Sequence, residues 1–165
     1  MSDLENLEDL FDDLDDNIPC KEHFEEIYRI YQEELIDDYI EVDGVRLTFK
    51  SHKSWIKGFE GYPETFVHLI TKEESYKKPR QFDSKRANRI HWIKCILKNI
   101  GNSKILYFEK KDKDDTTKKY YWYKEKNFVV ILKPIQPKIL LVTAFCVEKN
   151  KAMDFEYEYN KYHNI

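Results

Sequence analysis

Residues 65–93 bring together side chains that can bind phosphate and move protons. The stretch TFVHLITKEESYKKPRQFDSKRANRIHWI contains His68, Arg80, Arg86 and Arg89 among several lysines. Histidine acts as a general acid or base near neutral pH, because its ordinary pKa is about 6.5. The planar guanidinium of arginine binds phosphate oxygens through two parallel hydrogen bonds. These residue types indicate chemistry on a phosphodiester.

RNA can be cleaved with such groups and without a metal ion. The ribose 2′-OH is the nucleophile, so the protein supplies a base, an acid for the leaving 5′-oxygen, and cations for the charge on phosphorus. The five histidines are scattered without an HExxH or HxH motif, and the four glycines form no phosphate-binding loop. The sequence therefore predicts no metal site and no cofactor.

Further cationic and aromatic side chains are predicted to contact the substrate. Lysines would widen the cationic surface, and alternate residues of the aromatic strand at 120–123 would stack on bases. The predicted substrate-binding residues are Lys72, Lys85, Lys94, Tyr121 and Tyr123, with Tyr120 and Trp122 as the alternative aromatic pair.

Each of these assignments has an ordinary structural alternative. His68 would be a surface histidine on a strand. Arg86 and Arg89, one helical turn apart, would be a solvated face on which Asp83 neutralises one charge.

The charge is divided unevenly along the chain. Residues 1–43 hold 17 acidic and two basic residues, a net charge of −15, while residues 44–165 hold 14 acidic and 26 basic residues, a net charge of +12. A basic body favours polyanions, nucleic acid first. The alternative is a solvated surface whose lysines have no partner.

The acidic N-terminal segment, residues 1–20, is predicted to be a short amphipathic helix or a mobile tail. Its apolar residues are Leu4, Leu7, Leu10, Phe11 and Leu14, and its densest acidic group is Asp12, Asp13, Asp15 and Asp16. We expect it to cover, or compete for, the basic surface. The alternatives are a tail that improves solubility or one that docks on a separate protein.

Residues 21–165 are predicted to form one α+β domain, with N-terminal helices packed on a curved antiparallel sheet of four or more strands. A helix is expected over about 21–38, followed by a hairpin at Asp43–Gly44. Residues 65–71 are predicted to be a strand that places Phe66, His68 and Ile70 on one face. The remaining elements are a helix from Asp83 or Ser84 to Gly101, four consecutive strands over 104–147, and a tail that is a last strand or loose.

Residues 45–148, roughly, resemble the phage-associated branch of the barnase/EndoU/colicin/RelE-like nuclease superfamily. The resemblance lies in the order of FVHLITK, an arginine, FDSKRANRIHWIKCIL, short strands and then ILLVTAF. The resemblance implies N-terminal helices on a four-stranded antiparallel sheet and, in many members, metal-independent RNase activity in toxins or abortive-infection effectors. It implies a catalytic histidine at His68, arginines at Arg80 and at Arg86 or Arg89, and a hydroxyl at Thr143. Thr143 would orient the phosphate; the ordinary alternative is a strand residue hydrogen-bonded inside the sheet. No carboxylate on a sheet strand is identified as the base.

The sequence thus predicts a metal-independent endoribonuclease that leaves 2′,3′-cyclic phosphate ends, acting as a toxin or an anti-phage or phage-encoded effector. Expected partners are RNA, such as tRNA or mRNA, and an inhibitor or antitoxin protein. The alternative is a non-catalytic nucleic-acid binder, or a phage-related protein that blocks a host factor through its acidic N-terminus. Three widely spaced cysteines and no long apolar run predict a cytoplasmic protein without a membrane span.

Overall fold

The computed structural model describes residues 4–17 and 19–165. The helices are α1 (Lys21–Ile30, continued as a π-helix over Tyr31–Ile36), α2 (Glu64–Ile70), α3 (Ser84–Ala87), α4 (Trp92–Lys98) and α5 (Lys149–His163). The strands are β1 (Glu41–Val42), β2 (Val45–Thr48), β3 (Thr71–Lys72), β4 (Gln81–Phe82), β5 (Ile105–Lys111), β6 (Thr117–Tyr123), β7 (Phe128–Ile135) and β8 (Lys138–Cys146).

The main sheet has six strands in the order β1-β2-β8-β7-β6-β5. The four consecutive strands β5 to β8 form an antiparallel meander, and β2 joins it through a parallel pairing of Leu47 and Thr48 with Ile139 and Leu140. The strands β3 and β4 make a separate two-stranded ribbon. The predicted α+β class with a curved, mostly antiparallel sheet is confirmed; the parallel β2–β8 pair was not predicted.

The curled sheet is covered on both faces. The larger core lies under α1, α2 and α4 and includes Tyr121, Val130 and Leu141. The smaller core lies on the other face, where Phe155 of α5 makes edge contacts with aromatic rings of the sheet, including Trp122. Burial on both faces explains why β7 is apolar at every position over residues 128–132 instead of alternating.

Two local predictions are confirmed by their hydrogen bonds and backbone angles. Asp43 and Gly44 both have positive φ, as a two-residue hairpin between Val42 and Val45 requires. Asp83 caps α3, because its carboxylate accepts hydrogen bonds from the backbone N–H groups of Lys85 and Arg86.

The single helix predicted from Asp83 to Gly101 is instead two helices with a turn between them. The carbonyl of Asn88 accepts a hydrogen bond from Leu10 N, and Trp92 N donates to Arg89 O instead. The Asn88 side chain also accepts from Phe11 N and donates to Phe11 O, at 2.8 and 3.1 Å. The N-terminal segment therefore takes the backbone group that would have continued the helix.

The predictions for residues 65–71 and for the tail are wrong. Residues 64–70 form α2, with Thr65, Phe66, Val67, Leu69 and Ile70 all buried. A short apolar run that is buried on nearly every side cannot be assigned to helix or strand by periodicity. The tail forms α5, in which Ala152, Phe155 and Tyr159 recur at helical spacing and face the sheet.

Residues 4–17, which we call the N-terminal strap, are not an amphipathic helix. Their one helical feature is a 3₁₀ turn over Leu4–Asn6; residues 1–3 and Ile18 of the predicted segment lie outside the described residues. Leu4 and Leu7 are buried in the larger core, and Leu10, Phe11 and Leu14 pack against it. Neighbouring aspartates repel each other in a helix, and their side chains favour turns. The backbone of the strap instead forms hydrogen bonds with residues in the rest of the domain.

Among residues 4–17 and 19–165, no helix combines the length and the apolar character that crossing a bilayer requires.

The strap should contribute to the stability of the domain. Leu7 is 5% exposed, so Leu7→Ala should lower the free energy of unfolding by about 2–5 kcal/mol, measured by urea denaturation. Replacing the exposed Asp12 of the same strap by Ala should change that free energy by no more than about 0.5 kcal/mol. Equal stability of the two variants would show that the strap is not part of the core.

Candidate active site

The helix α2 presents a carboxylate and an imidazole to the same part of the surface. Glu64 and His68 are one helical turn apart, and Glu64 Oε1 lies 2.9 Å from His68 Nε2. The Glu64 side chain is 17% exposed and that of His68 37% exposed, so the pair is partly withdrawn from water yet accessible. A hydrogen-bonded Glu–His pair in this setting can orient an imidazole for proton transfer.

The first turn of α2 is fixed by the chain that leaves β2. Glu64 N donates to His52 O, Thr65 N donates to Lys50 O, and Lys50 N donates to Thr65 Oγ1, at 2.8–3.2 Å. This clamp brings a second imidazole to the pair, because His52 Nε2 lies 3.9 Å from Glu64 Oε2. The Glu64 carboxylate thus has a histidine near each of its two oxygens.

The pair opens onto a cavity of about 430 Å³ between α2, the ends of β6, β7 and β8, and the β5–β6 loop. This volume is within the range of ligand-binding pockets. Its charged lining consists of Glu64, His68, Lys50, Lys118, Lys133 and Asp114. Lys118 forms an ion pair with Asp112, whereas Lys50 and Lys133 have no ion pair with any residue that the structure describes.

His68 is set to be neutral near pH 7. Burial, followed by the positive charge of Arg80, lowers the pKa of His68 below its ordinary value, although Glu64 acts in the opposite direction. The contact with Glu64 is then a hydrogen bond in which Nε2–H of the neutral imidazole donates to the carboxylate. The other ring nitrogen, Nδ1, is left without a proton in this tautomer and can accept one.

Two of the predicted phosphate-binding arginines bind the backbone at the end of α2. Arg80 donates from Nε to Thr71 Oγ1 and from Nη2 to Thr71 O, both at 2.8 Å. Arg86 donates from Nη1 to Thr71 O at 2.7 Å and, more weakly, to His68 O at 3.4 Å. These cations satisfy carbonyls at the negative end of the helix dipole, and neither arginine lines the His68 cavity. Their geometry supports a positioning role in place of the predicted phosphate contact.

Arg89 and Lys94, which were also predicted to face the substrate, are neutralised by acidic residues. Arg89 Nε lies 3.0 Å from Asp9 Oδ1 of the strap, and its guanidinium stacks 4.3 Å from the Trp92 ring centroid. Lys94 Nζ lies 2.8 Å from Asp38 Oδ2. Both residues are therefore held away from the His68 cavity.

The remaining predicted residues are also placed outside the cavity. Tyr121 and Tyr123 are 1% and 0% exposed, so neither ring is open to a base and that prediction is wrong. Thr143 Oγ1 is buried, without a hydrogen-bond partner among the described residues, and does not line the cavity where it would orient a phosphate.

Lys72 and Lys85 lie near the strap carboxylate of Asp16. Hydrogen bonds from the N–H and hydroxyl of Ser84, and then the charges of these two lysines, lower the pKa of Asp16. Of all the predicted site residues, His68 is the one that lines the cavity.

Glu64, His52 and the three cavity lysines are not among the residues that were predicted from the sequence. The local signal for Glu64 was present, because a proline followed by Glu64 and then His68 at a spacing of four is typical of a helix start with an i,i+4 pair. The cavity lysines have no such signal, because Lys50, Lys118 and Lys133 are distant in the sequence and meet only in the tertiary fold.

Over the described ranges, no cluster of three or more histidine, cysteine, aspartate or glutamate side chains is arranged to hold a metal ion.

The chain matches no protein-family model, no curated protein and no solved structure.

If Arg86 positions α2, its loss should destabilise the fold. Arg86→Ala should lower the free energy of unfolding by about 1.5–3 kcal/mol, because charged hydrogen bonds to backbone carbonyls are lost. The matched control is Lys85→Ala, an exposed neighbour on the same helix, which should stay within about 0.5 kcal/mol of the parent in urea denaturation. An Arg86→Ala protein as stable as the parent would refute the positioning role.

Proposed function

We propose that this protein cleaves RNA without a metal ion, at the cavity lined by Glu64 and His68. The observation that carries the proposal is the 2.9 Å contact between these two side chains at the edge of a lysine-lined cavity. A base, an orienting carboxylate and cations are the parts that 2′-OH transesterification needs.

In this mechanism neutral His68 takes the proton from the ribose 2′-OH, and Glu64 holds the imidazole in the correct tautomer. The 2′-oxygen then bonds to phosphorus, and the bond from phosphorus to the 5′-oxygen breaks. A second proton donor must protonate the leaving 5′-oxygen, and His52, near the other oxygen of Glu64, is the nearest imidazole to the pair. The products are a 2′,3′-cyclic phosphate and a 5′-hydroxyl.

The lysines supply the positive charge in place of the arginines. Lys50 and Lys133 line the cavity without an ion-paired acid among the described residues, so they can bind the phosphate and stabilise the charge that develops on it. Lys118 adds a third cation, part of whose charge is balanced by Asp112. Arg80 and Arg86 act indirectly, by fixing the helix that carries Glu64 and His68.

Several expectations from the sequence stay predictions. They include membership of the nuclease superfamily, a role as a toxin or effector, and an RNA, inhibitor or antitoxin partner. They also include a cytoplasmic location.

Competition between the strap and RNA also stays a prediction, and it would act away from the proposed centre. The strap contacts Arg89, Lys104 and Lys126, whereas the described residues 4–17 contribute nothing to the lining of the His68 cavity. Because Leu4 and Leu7 belong to the core, deleting the segment would also unfold part of the domain. The change Asp9→Asn is a cleaner probe of the charge.

Purified protein should cleave single-stranded RNA in the presence of EDTA, and the cleavage should depend on the Glu64–His68 pair. His68→Ala should slow cleavage by roughly a hundred- to ten-thousand-fold. Glu64→Gln should slow it as well, since the amide cannot stabilise the imidazolium that forms. Rates are measured by gel analysis of a labelled RNA.

His163→Ala is the matched control, because His163 is an exposed histidine on α5, where its Nε2 contacts Tyr107 O. This variant should cleave RNA at the parent rate, and thermal unfolding should show that all three variants are folded. Parent-like cleavage by folded His68→Ala, or cleavage that EDTA abolishes, would contradict the proposal. Binding without cleavage by the parent would favour the non-catalytic alternative.

A further inference from the structure

Trp55 is the most exposed large aromatic residue of the described chain. Its relative exposure is 91%, while the other two tryptophans, Trp92 and Trp122, are 2% and 0% exposed. Leaving an indole in water costs hydrophobic free energy without any gain in folding. An exposed tryptophan is therefore a candidate contact residue for a ligand.

Trp55 stands on an ordered loop and not on a loose one. The preceding Ser54 is 3% exposed, its N–H donates to Tyr62 O, and its carbonyl accepts from Gly61 N. The Ser54 hydroxyl also accepts from Ile56 N at 3.1 Å. A β-bridge between Lys53 and Pro63 closes the base of the loop. The backbone on both sides of Trp55 is thus fixed before any ligand arrives.

This loop is tied directly to the proposed centre. His52 lies three residues before Trp55, and its carbonyl is the acceptor for Glu64 N. Three extended residues span at most about 10 Å, so the backbone of Trp55 lies within about 10 Å of His52, whose carbonyl holds the first N–H of α2.

The chain around Trp55 is predominantly basic. From Lys50 to Pro63, where the loop closes, it has three lysines, Lys50, Lys53 and Lys57, and one acidic residue, Glu60. Cations interleaved with an aromatic ring are the usual composition of a single-stranded nucleic-acid platform, in which the phosphates bind lysine and a base stacks on the ring.

We propose that Trp55 stacks on an unpaired base beside the phosphodiester held at the Glu64–His68 cavity, which makes single-stranded RNA the substrate class. The inference rests on the proposed function. A base inside a duplex is stacked on both sides by its neighbours and offers no free face to an indole, whereas unpaired bases do. Stacking of this kind is tolerant of base identity, so Trp55 selects strandedness and not sequence.

Trp55 fluorescence tests the inference on the intact chain. The probe is a ten-nucleotide 2′-O-methyl RNA, which lacks the 2′-OH nucleophile, used as a single strand and annealed to its complement. The single strand should quench tryptophan emission in a saturable way and should bind at least several-fold more tightly than the duplex. Trp55→Ala should weaken single-strand binding by roughly five- to hundred-fold, measured by anisotropy of a labelled probe.

Two further variants separate stacking from other effects. Trp55→Phe keeps an aromatic face and should retain most of the affinity. Tyr157→Ala removes an exposed aromatic residue that stands between Glu156 and Glu158 on α5, and it should bind RNA like the parent. Parent-like affinity of Trp55→Ala, equal quenching by the duplex, or no RNA binding at all would each overturn the inference.

The two proposals fail separately. If the parent cleaves RNA in EDTA while Trp55→Ala binds and cleaves like the parent, the stacking role is wrong and the proposed function stands. If Trp55 governs single-strand binding but no cleavage occurs, the stacking role stands and the proposed catalysis is wrong.

Discussion

The carbonyl oxygen of Thr71 accepts hydrogen bonds from two arginines, Arg80 and Arg86, and the proposed site depends on this contact. The helix α2 has only seven residues, too few to be stable by its own hydrogen bonds. At its carboxyl end the guanidiniums satisfy the backbone acceptors. At its amino end the chain from Lys50 to His52 holds the first N–H groups. Glu64 and His68 keep their geometry because both ends are fixed.

The division of charge along the sequence has a spatial counterpart in the fold. Acidic residues of the N-terminal strap are placed beside Arg89 and Lys104, and strap carbonyls accept from Lys126. The cavity cations Lys50 and Lys133 form no ion pair with a described acidic residue, although Glu64 and Asp114 line the same cavity. Lys50 and Lys133 therefore remain available to an anion, although the protein has a negative net charge.

Much of the framework could be predicted from the sequence, because strongly patterned segments carry their own local signal. The four strands from Ile105 to Cys146, the Asp43–Gly44 hairpin and the Asp83 cap follow from short apolar and aromatic runs, turn residues and capping chemistry. The helix α2 was mistaken for a strand, since burial of nearly all its side chains removed the period that distinguishes the two. The break at Asn88 could not be predicted, because it results from a hydrogen bond to Leu10, far away in the sequence.

Of the residues that line the candidate site, only His68 was predicted from the sequence. The number of cations near His68 in the sequence favoured arginines as phosphate ligands. The N–H groups of Arg80 and Arg86 instead donate to the backbone at the end of α2, a contact that requires the tertiary fold. Lys50 follows β2, Lys118 lies in β6 and Lys133 lies in β7, so the three lysines meet only in the tertiary fold. Solvent exposure determines which aromatic residues can contact a base. The aromatic strand at 120–123 is buried, while Trp55, a single residue in a polar loop, is exposed to solvent.

The most direct test of the central claim is the chemical nature of the new RNA ends. A short RNA of defined sequence is incubated with the parent protein in EDTA, and the fragments are analysed by mass spectrometry. Transesterification at the Glu64–His68 cavity predicts a 2′,3′-cyclic phosphate on one fragment and a 5′-hydroxyl on the other, with no cut where a single 2′-deoxy nucleotide replaces the cleaved one. Fragments that carry a 5′-phosphate and a 3′-hydroxyl, or cleavage at the 2′-deoxy position, would contradict the account.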